Sequence, residues 1–389
     1  MHIILYPSHD ATIYESKPYQ NTGDDPYLVI DKQRIAAVID SASVTSQYFN
    51  YCSRGLIKFN ISDIISRQLN GSISINSFRQ SYLTLYNRSI EKLPGTVDLE
   101  VGALTLSGSQ GIPNEIWDPG IGRYDTPITS SAGITWKTKG KPSLGSQNFW
   151  HTGSYNLPVT GSWCTTPGGG TWISNSVVTS SYDYTTMHLN VNVSSIVESW
   201  ISGSYQNQGF IIKRTATDEF SSESLGRFEF YSRDTNTVYS PTLRFSWDNS
   251  VYDTGSFEVY NLNGIRTEAN CVVWFEDLKT TYHPNSIVRF RPRIRDKFPI
   301  RTFTTRSLYD QQLVFPHTTE YAIYDSFSGR EIMPFGSASR ISVSGSYGSY
   351  FDIEMSSLQE QCYYDIYLKI DWTNSTTIRG PFRFKVTDI

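Results

Sequence analysis

The run VNVSSIVESWISGSYQNQGFIIKR, residues 191–214, begins and ends as β-strand and breaks into a short helical pattern at its centre. Its first residues continue an alternation that starts upstream. Met187, Leu189, Val191 and Val193 fall on one face, and His188, Asn190 and Asn192 on the other. That period belongs to a strand buried on one side. The helical part spans Ser195 to Ser202. Ser195 and Glu198 have the S-x-x-E spacing of a capping box, in which hydroxyl and carboxylate satisfy unpaired N–H groups of the first turn. Ile196 and Trp200 share one helical face, placed to plug an end of a sandwich. Gly203 supplies a C-terminal stop, after which GFIIKR resumes as strand. The run therefore predicts one short plug helix between two strands of a β-sandwich.

The surrounding chain has the same texture. GLIKFNIS (55–62), SYLTLYN (81–87), RFEFYSR, TLRFSW and DIYLKIDW all alternate, and Gly-Ser turns punctuate them. Glycine supplies the positive φ that many reversals need. KFNISDIIS is a shorter echo of the opening run, a strand that ends at Ser and enters an Ile-Ile turn. Aromatics make up 14% of the 389 residues, with 26 Tyr, and charged residues only 18%, which favours strands over helices. Many short strands between Gly, Ser and Asn turns indicate an all-β sandwich or barrel. The length calls for more than one domain. A polar linker around Asn249–Gly255 places the division at about residue 250, giving a sandwich over 1–250 and a smaller, Ig-like β-sandwich over 251–389.

A net charge of −4 argues against general nucleic-acid binding and against a polybasic membrane surface. No apolar run approaches the length of a membrane span. The first residues, MHIILYPSHDATIYE, read as a strand and carry neither a charged leader region nor a cleavage site, so synthesis in a cytosol is expected. Cys52, Cys164, Cys271 and Cys362 are widely spaced with no CxxC pair, and are read as small buried thiols in a reducing compartment.

Residues 1–250 resemble the DNRLRE-type jelly-roll modules, which are similar to the TGF-β propeptide fold and include members classed as carbohydrate-binding modules. The resemblance is carried in order by DATIYES, LVID, RGLIKFNIS, SYLTLY, EIWDPG, GITWKT and GGGTW, then by the opening run with FEFYSRDTNTVYSPTLRFSW. Two long insertions, 31–53 and 138–170, depart from the pattern, and the acid of the W-x-E element stands directly beside its tryptophan as Asp118. Ligand contacts vary among members, so no sugar-binding residue is carried over. Residues 270–389, through IVRFRPRIRDKFPIRTFTTRSLYDQQLVFPHTTEYAIYD, resemble structural proteins of T4-like marine tailed phages, which carry DKYP-x-RTF before a short β-domain.

Two groups of residues stand out as contact candidates. VRFRPRIRD sets Arg289, Arg291, Arg293 and Arg295 on one strand face, opposite Val288, Phe290, Pro292 and Ile294. Four like charges at this spacing repel unless something answers them. The stripe can dock an acidic neighbouring subunit, or be a solvated face paired with local acids such as Glu276 and Asp277. Pro292 suggests an edge strand. Trp150, Tyr155, Trp163 and Trp172 crowd the stretch NFWHTGSYNLPVTGSWCTTPGGGTW, residues 148–172, which begins inside the second insertion. They can stack on a glycan or anchor a partner, or pack the long loop onto the sandwich, which is the preferred reading.

Motifs for nucleophilic hydrolysis, nucleotide phosphates, zinc proteolysis and calcium loops are absent from the sequence. His9-Asp10 is read as a turn and not a dyad, although glycosidase carboxylates leave no local motif. The expectation is a non-enzymatic structural protein of a tailed-phage virion, in neck, tail, baseplate or head decoration. It would need no cofactor or metal, and its partners would be other virion proteins or repeated copies of itself. A glycan-binding attachment module is the alternative, and a glycan-active enzyme a third reading.

Overall fold

The computed structural model describes residues 1–38, 46–73, 79–91, 95–106, 117–126, 133–140, 150, 168–183, 188–260, 271–298, 313–372 and 375–388. Two compact units share the chain. The first comprises Leu5–Ile65 and Ser81–Arg244, and the second Met1–Ile4, Ser66–Gln80 and Phe245–Ile389. The fold is all-β and of multi-sandwich type, as expected.

In chain order come β1 (His2–Leu5), β2 (Pro7–Tyr14), β3 (Tyr27–Val38), β4 (Ser46–Phe59), α1 (Ser62–Leu69), β5 (Arg79–Leu85), β6 (Asn87–Glu91) and β7 (Val97–Ala103). Next are β8 (Val178–Tyr182), β9 (Leu189–Asn192), α2 (Ser194–Ile201), β10 (Phe210–Arg214), α3 (Ala216–Glu219), β11 (Arg227–Tyr231) and β12 (Thr242–Trp247). One sheet runs β1-β12-β5-β9, and an eight-stranded sheet runs β6-β11-β3-β4-β10-β7-β8 with β2 also on β4. The first insertion of the sequence is a hairpin extension, with β3 and β4 paired from Lys32↔Cys52 out to Val38↔Ser46.

The opening run now has a mechanical role. β9 lies in the four-stranded sheet and β10 in the eight-stranded one, and α2 carries the chain between them. Ile196, Val197 and Trp200 are its buried face. The Trp200 ring sits 4.7 Å from Phe210, which meets Phe59 edge-on. Burying each such side chain is worth roughly 1.5–3 kcal/mol. Gly203 has φ +76° and ends the helix, its N–H bonding the Trp200 carbonyl.

The start of the helix differs from expectation. It begins at Ser194, so Ser195 lies inside the first turn, and no side chain caps from the N-cap position, Val193. Asn192 Oδ1 instead accepts from the Ser194 N–H and hydroxyl, while Ser194 Oγ accepts the Ser81 N–H. The structure also has more helix than the one plug expected. The Ile-Ile turn is the eight-residue α1, with Ile64 buried, and α3 is a short third helix capped by Thr215. His9 and Asp10 both lie in β2 and not in a turn; they point to opposite faces of a strand, as period 2 demands, and form no dyad.

Of the second insertion, residues 138–140, 150 and 168–170 are described. Trp150 and Trp172 belong to an interior cluster with Trp117, Trp136, Leu56, Leu104 and Ile211. Arg54 enters this cluster, its guanidinium 5.0 Å from the Trp136 ring and 5.2 Å from the Trp172 ring. Gly169, at φ +86°, lets the backbone approach so closely that its carbonyl accepts from Arg54.

The second unit also contains β13 (Glu258–Val259), β14 (Cys271–Glu276), β15 (Thr281–Tyr282), β16 (Ile287–Asp296), β17 (Leu313–Val314) and β18 (Glu320–Asp325). β19 (Glu331–Met333), β20 (Ser342–Ser344), β21 (Gly348–Glu354), β22 (Tyr363–Asp371) and β23 (Thr376–Val386) complete it. A sheet ordered β13-β17-β16-β21-β20, with β14 on β16, accompanies a sheet ordered β15-β23-β22-β18-β19. Their buried faces form one core, in which Tyr321 stacks on Phe351 and Phe275 meets Phe290, Phe351 and Phe382 edge-on.

Candidate protein-docking face

The face is built on β16, whose alternation is as the sequence indicates. Phe290, Pro292 and Ile294 are buried, and the four arginines take the other side. β16 is not an edge strand. It pairs with β14 over 291–296 and with β21 over 287–290, and Ile294 also meets Leu313 of β17. Pro292 is tolerated because it faces Phe275 on β14 between Phe290, where the β21 pairs end, and Ile294, where β17 begins. Its missing N–H therefore interrupts little of the ladder.

The like charges are answered unevenly. Arg289 forks onto Asp352 of β21, with Nε–Oδ1 2.8 Å and Nη2–Oδ2 2.9 Å, and lies over the Tyr350 ring. That carboxylate holds the Arg289 guanidinium above its usual range. Arg293 is bound twice by Glu276 of β14 and once by the Tyr347 carbonyl. Arg295 lies 5.8 Å from the centre of the Trp274 ring, and Arg291 stands opposite Glu276 in the ladder. Neither Arg291 nor Arg295 has an ion pair among the described residues. Trp274 alternates outward with Val272 and Glu276 and is 38% exposed.

The result is a cationic sheet face that carries an exposed aromatic, Trp274. Two arginines are already fixed by carboxylates, which lowers the entropy lost when a partner docks. Guanidinium forks match carboxylates two oxygens at a time. Chemically, the face suits an acidic protein surface.

The aromatic candidates fall elsewhere. Trp150 and Trp172 are 3% and 1% exposed, and the Trp150 indole N–H donates to the Thr135 carbonyl at 2.9 Å. Their rings are packed inside the first unit and are not presented to a ligand. Tyr155 and Trp163 lie outside the described residues. Sequence reading missed Trp274, whose signal was the alternation of CVVWFE, and Asp352, which no local pattern connects to Arg289. Cys52, Cys271 and Cys362 are free thiols, the first two buried; Cys164 lies outside the described residues. Among the described residues no cluster of three His, Cys, Asp or Glu is placed to hold a metal, and no helix is long and apolar enough to cross a membrane.

No family sequence model matches the chain, and no curated protein does. The crystal structure of the adhesin domain of Epf from Streptococcus pyogenes is similar over 98% of this chain and 92% of that one, at 8% identity and a TM-score of 0.18. A likeness at that score carries no weight for function.

Proposed function

We propose that the protein is a structural component of a tailed-phage virion that works by contact with neighbouring subunits and not by catalysis. The observation that carries the assembly role is the outward face of β16. Arg291 and Arg295 stand there without a carboxylate among the described residues, beside two arginines that have one. The virion setting is supported by the resemblance of residues 270–389 to structural proteins of T4-like marine phages. The glycan-binding alternative gains nothing from Trp150 and Trp172, because both rings are buried.

The test is particle incorporation of wild type and an Arg291→Glu/Arg295→Glu double variant. Wild type is expected at fixed copy number in purified particles, and the folded double variant is expected to be lost from them. Absence of wild type from particles defeats the virion role. Normal incorporation of the double variant defeats the assignment of this face.

A further inference from the structure

We propose that the second unit carries a binding face for a neutral glycan, formed by Tyr324, Tyr363 and Tyr367 on the outer side of β18, β22 and β23. The site goes beyond the assembly role and does not depend on it.

The face follows from register. Tyr363, Asp365, Tyr367 and Lys369 alternate outward along β22, while Tyr364, Ile366, Leu368 and Ile370 are buried in the core. Opposed residues of an antiparallel pair point to the same side of a sheet. Tyr324 and Glu320 of β18 stand opposite Asp365 and Lys369, and Lys385 and Arg383 of β23 opposite Tyr363 and Asp365, so all four share this side. Tyr363 and Tyr367 are about 13 Å apart along the strand. Tyr324, opposite Asp365, stands beside the middle of that span. Tyr363 is 53% exposed, and Tyr324 and Tyr367 are half-buried. Tyr324 and Tyr367 meet at 5.5 Å with their rings perpendicular, so each holds the other in place. A turn extends the row. The Ser326 N–H donates to the Tyr363 carbonyl, and Asp325 Oδ1 accepts from the Phe327 and Ser328 N–H groups. That fixed turn presents Phe327 wholly to solvent. Single apolar residues scattered on a surface are ordinary, whereas aromatic rings gathered at one sheet face and its turn mark a contact site.

The ligand class follows from the charges. Arg383 donates twice to Asp365, at 2.7 and 3.0 Å, and Lys369 donates to Glu320 at 3.1 Å. The Tyr324 hydroxyl donates to Glu331 at 3.2 Å, and Lys385 lies over the Tyr363 ring. The acids and bases of this face answer one another, unlike Arg291 and Arg295 on β16. No excess charge is left to attract an acidic or basic protein surface. What remains is aromatic rings set among fixed carboxylates and a fixed guanidinium. A pyranose ring is the complement of that arrangement. Its C–H groups pack on an aromatic face, and its hydroxyls donate to carboxylates and accept from the guanidinium. Rings and ion pairs are held before the ligand arrives, so little side-chain entropy is lost on binding. Aromatics spread along a strand suit several consecutive sugar rings, so an oligosaccharide is the expected ligand.

The decisive experiment is affinity electrophoresis of the full chain in native gels cast with hydroxyethyl cellulose, dextran, galactomannan or alginate. Isothermal titration with oligosaccharides of the retarding polymer then gives the affinity. Wild type is expected to be retarded by at least one of the neutral polymers, and equally so in added salt. Tyr363→Ala and Tyr367→Ala, each checked for an unchanged melting curve, should bind roughly tenfold more weakly. Tyr363→Phe, which keeps the ring, should bind as wild type does. Tyr363 is exposed, so Tyr363→Ala still decides the matter should Tyr367→Ala fail to fold. Absence of retardation in every neutral gel, retardation by alginate alone, or undiminished binding by Tyr363→Ala overturns the proposal. So does loss of Tyr363→Ala from particles when no saccharide binds wild type, which would make the face a protein contact.

Discussion

Arg54 and Glu219 are locked together inside the first unit by two hydrogen bonds, Nε–Oε1 at 2.9 Å and Nη2–Oε2 at 2.7 Å. Both side chains are nearly sealed from solvent, at 2% and 5% exposure. Arg54 also donates to Gly169 and lies between Trp136 and Trp172, so it ties β4, α3 and the end of the second insertion to one point. Removing one partner strands a buried charge. Arg54→Met or Glu219→Leu alone is expected to cost about 3–5 kcal/mol in urea unfolding, and the double variant less than their sum.

An exposed pair should behave differently. Arg289 and Asp352 are joined with equally good geometry, but the Arg289 side chain is 40% exposed. Solvent screening leaves such a pair worth less than about 1 kcal/mol. Asp352→Asn should therefore shift the melting temperature little, in contrast to Glu219→Leu measured the same way.

Asp10 makes stability depend on pH. Burial pushes its carboxyl up to about 7, against a backbone hydrogen bond from Arg233 that pulls it down. A carboxyl raised in the folded state binds its proton more tightly there than in the unfolded chain. Its contribution is fully present below about pH 4 and is lost as pH rises through 7. Asp10→Asn cannot titrate, so the melting temperature of wild type relative to the variant should fall between pH 4 and 8. A constant difference would show that Asp10 is not buried as described.

The plug helix yields two graded outcomes. Among the described residues the buried Trp200 indole N–H has no hydrogen-bond partner. Trp200→Phe should cost less than about 1.5 kcal/mol, whereas Trp200→Ala should cost about 3–5 kcal/mol through lost packing. Gly203→Ala meets no atom within 4 Å but is strained at φ +76°, and should cost about 1 kcal/mol. Chemical denaturation of the three variants checks the order.

Much of this was legible in the sequence because sheet burial is periodic. Leu189, Val191 and Val193 are buried and Asn190 and Asn192 exposed, as alternation requires. The capping box falls one residue off because two adjacent serines, Ser194 and Ser195, both offer a cap, and Asn192 decides between them from outside the helix. Trp150 and Trp172 are buried, as the preferred packing reading of that loop has it, but an irregular segment has no period that would show which residues they pack against. Asp352 answers Arg289 across 63 residues, and only the register of β16 on β21 brings them together.

The most direct measurement of the central claim is a reconstruction of purified particles with copy number counted from the same sample. The protein is expected at a fixed position and fixed stoichiometry, with Arg291, Arg295 and Trp274 covered by neighbouring chains. Particles that lack the protein, or hold it with that face open to solvent, would contradict that claim.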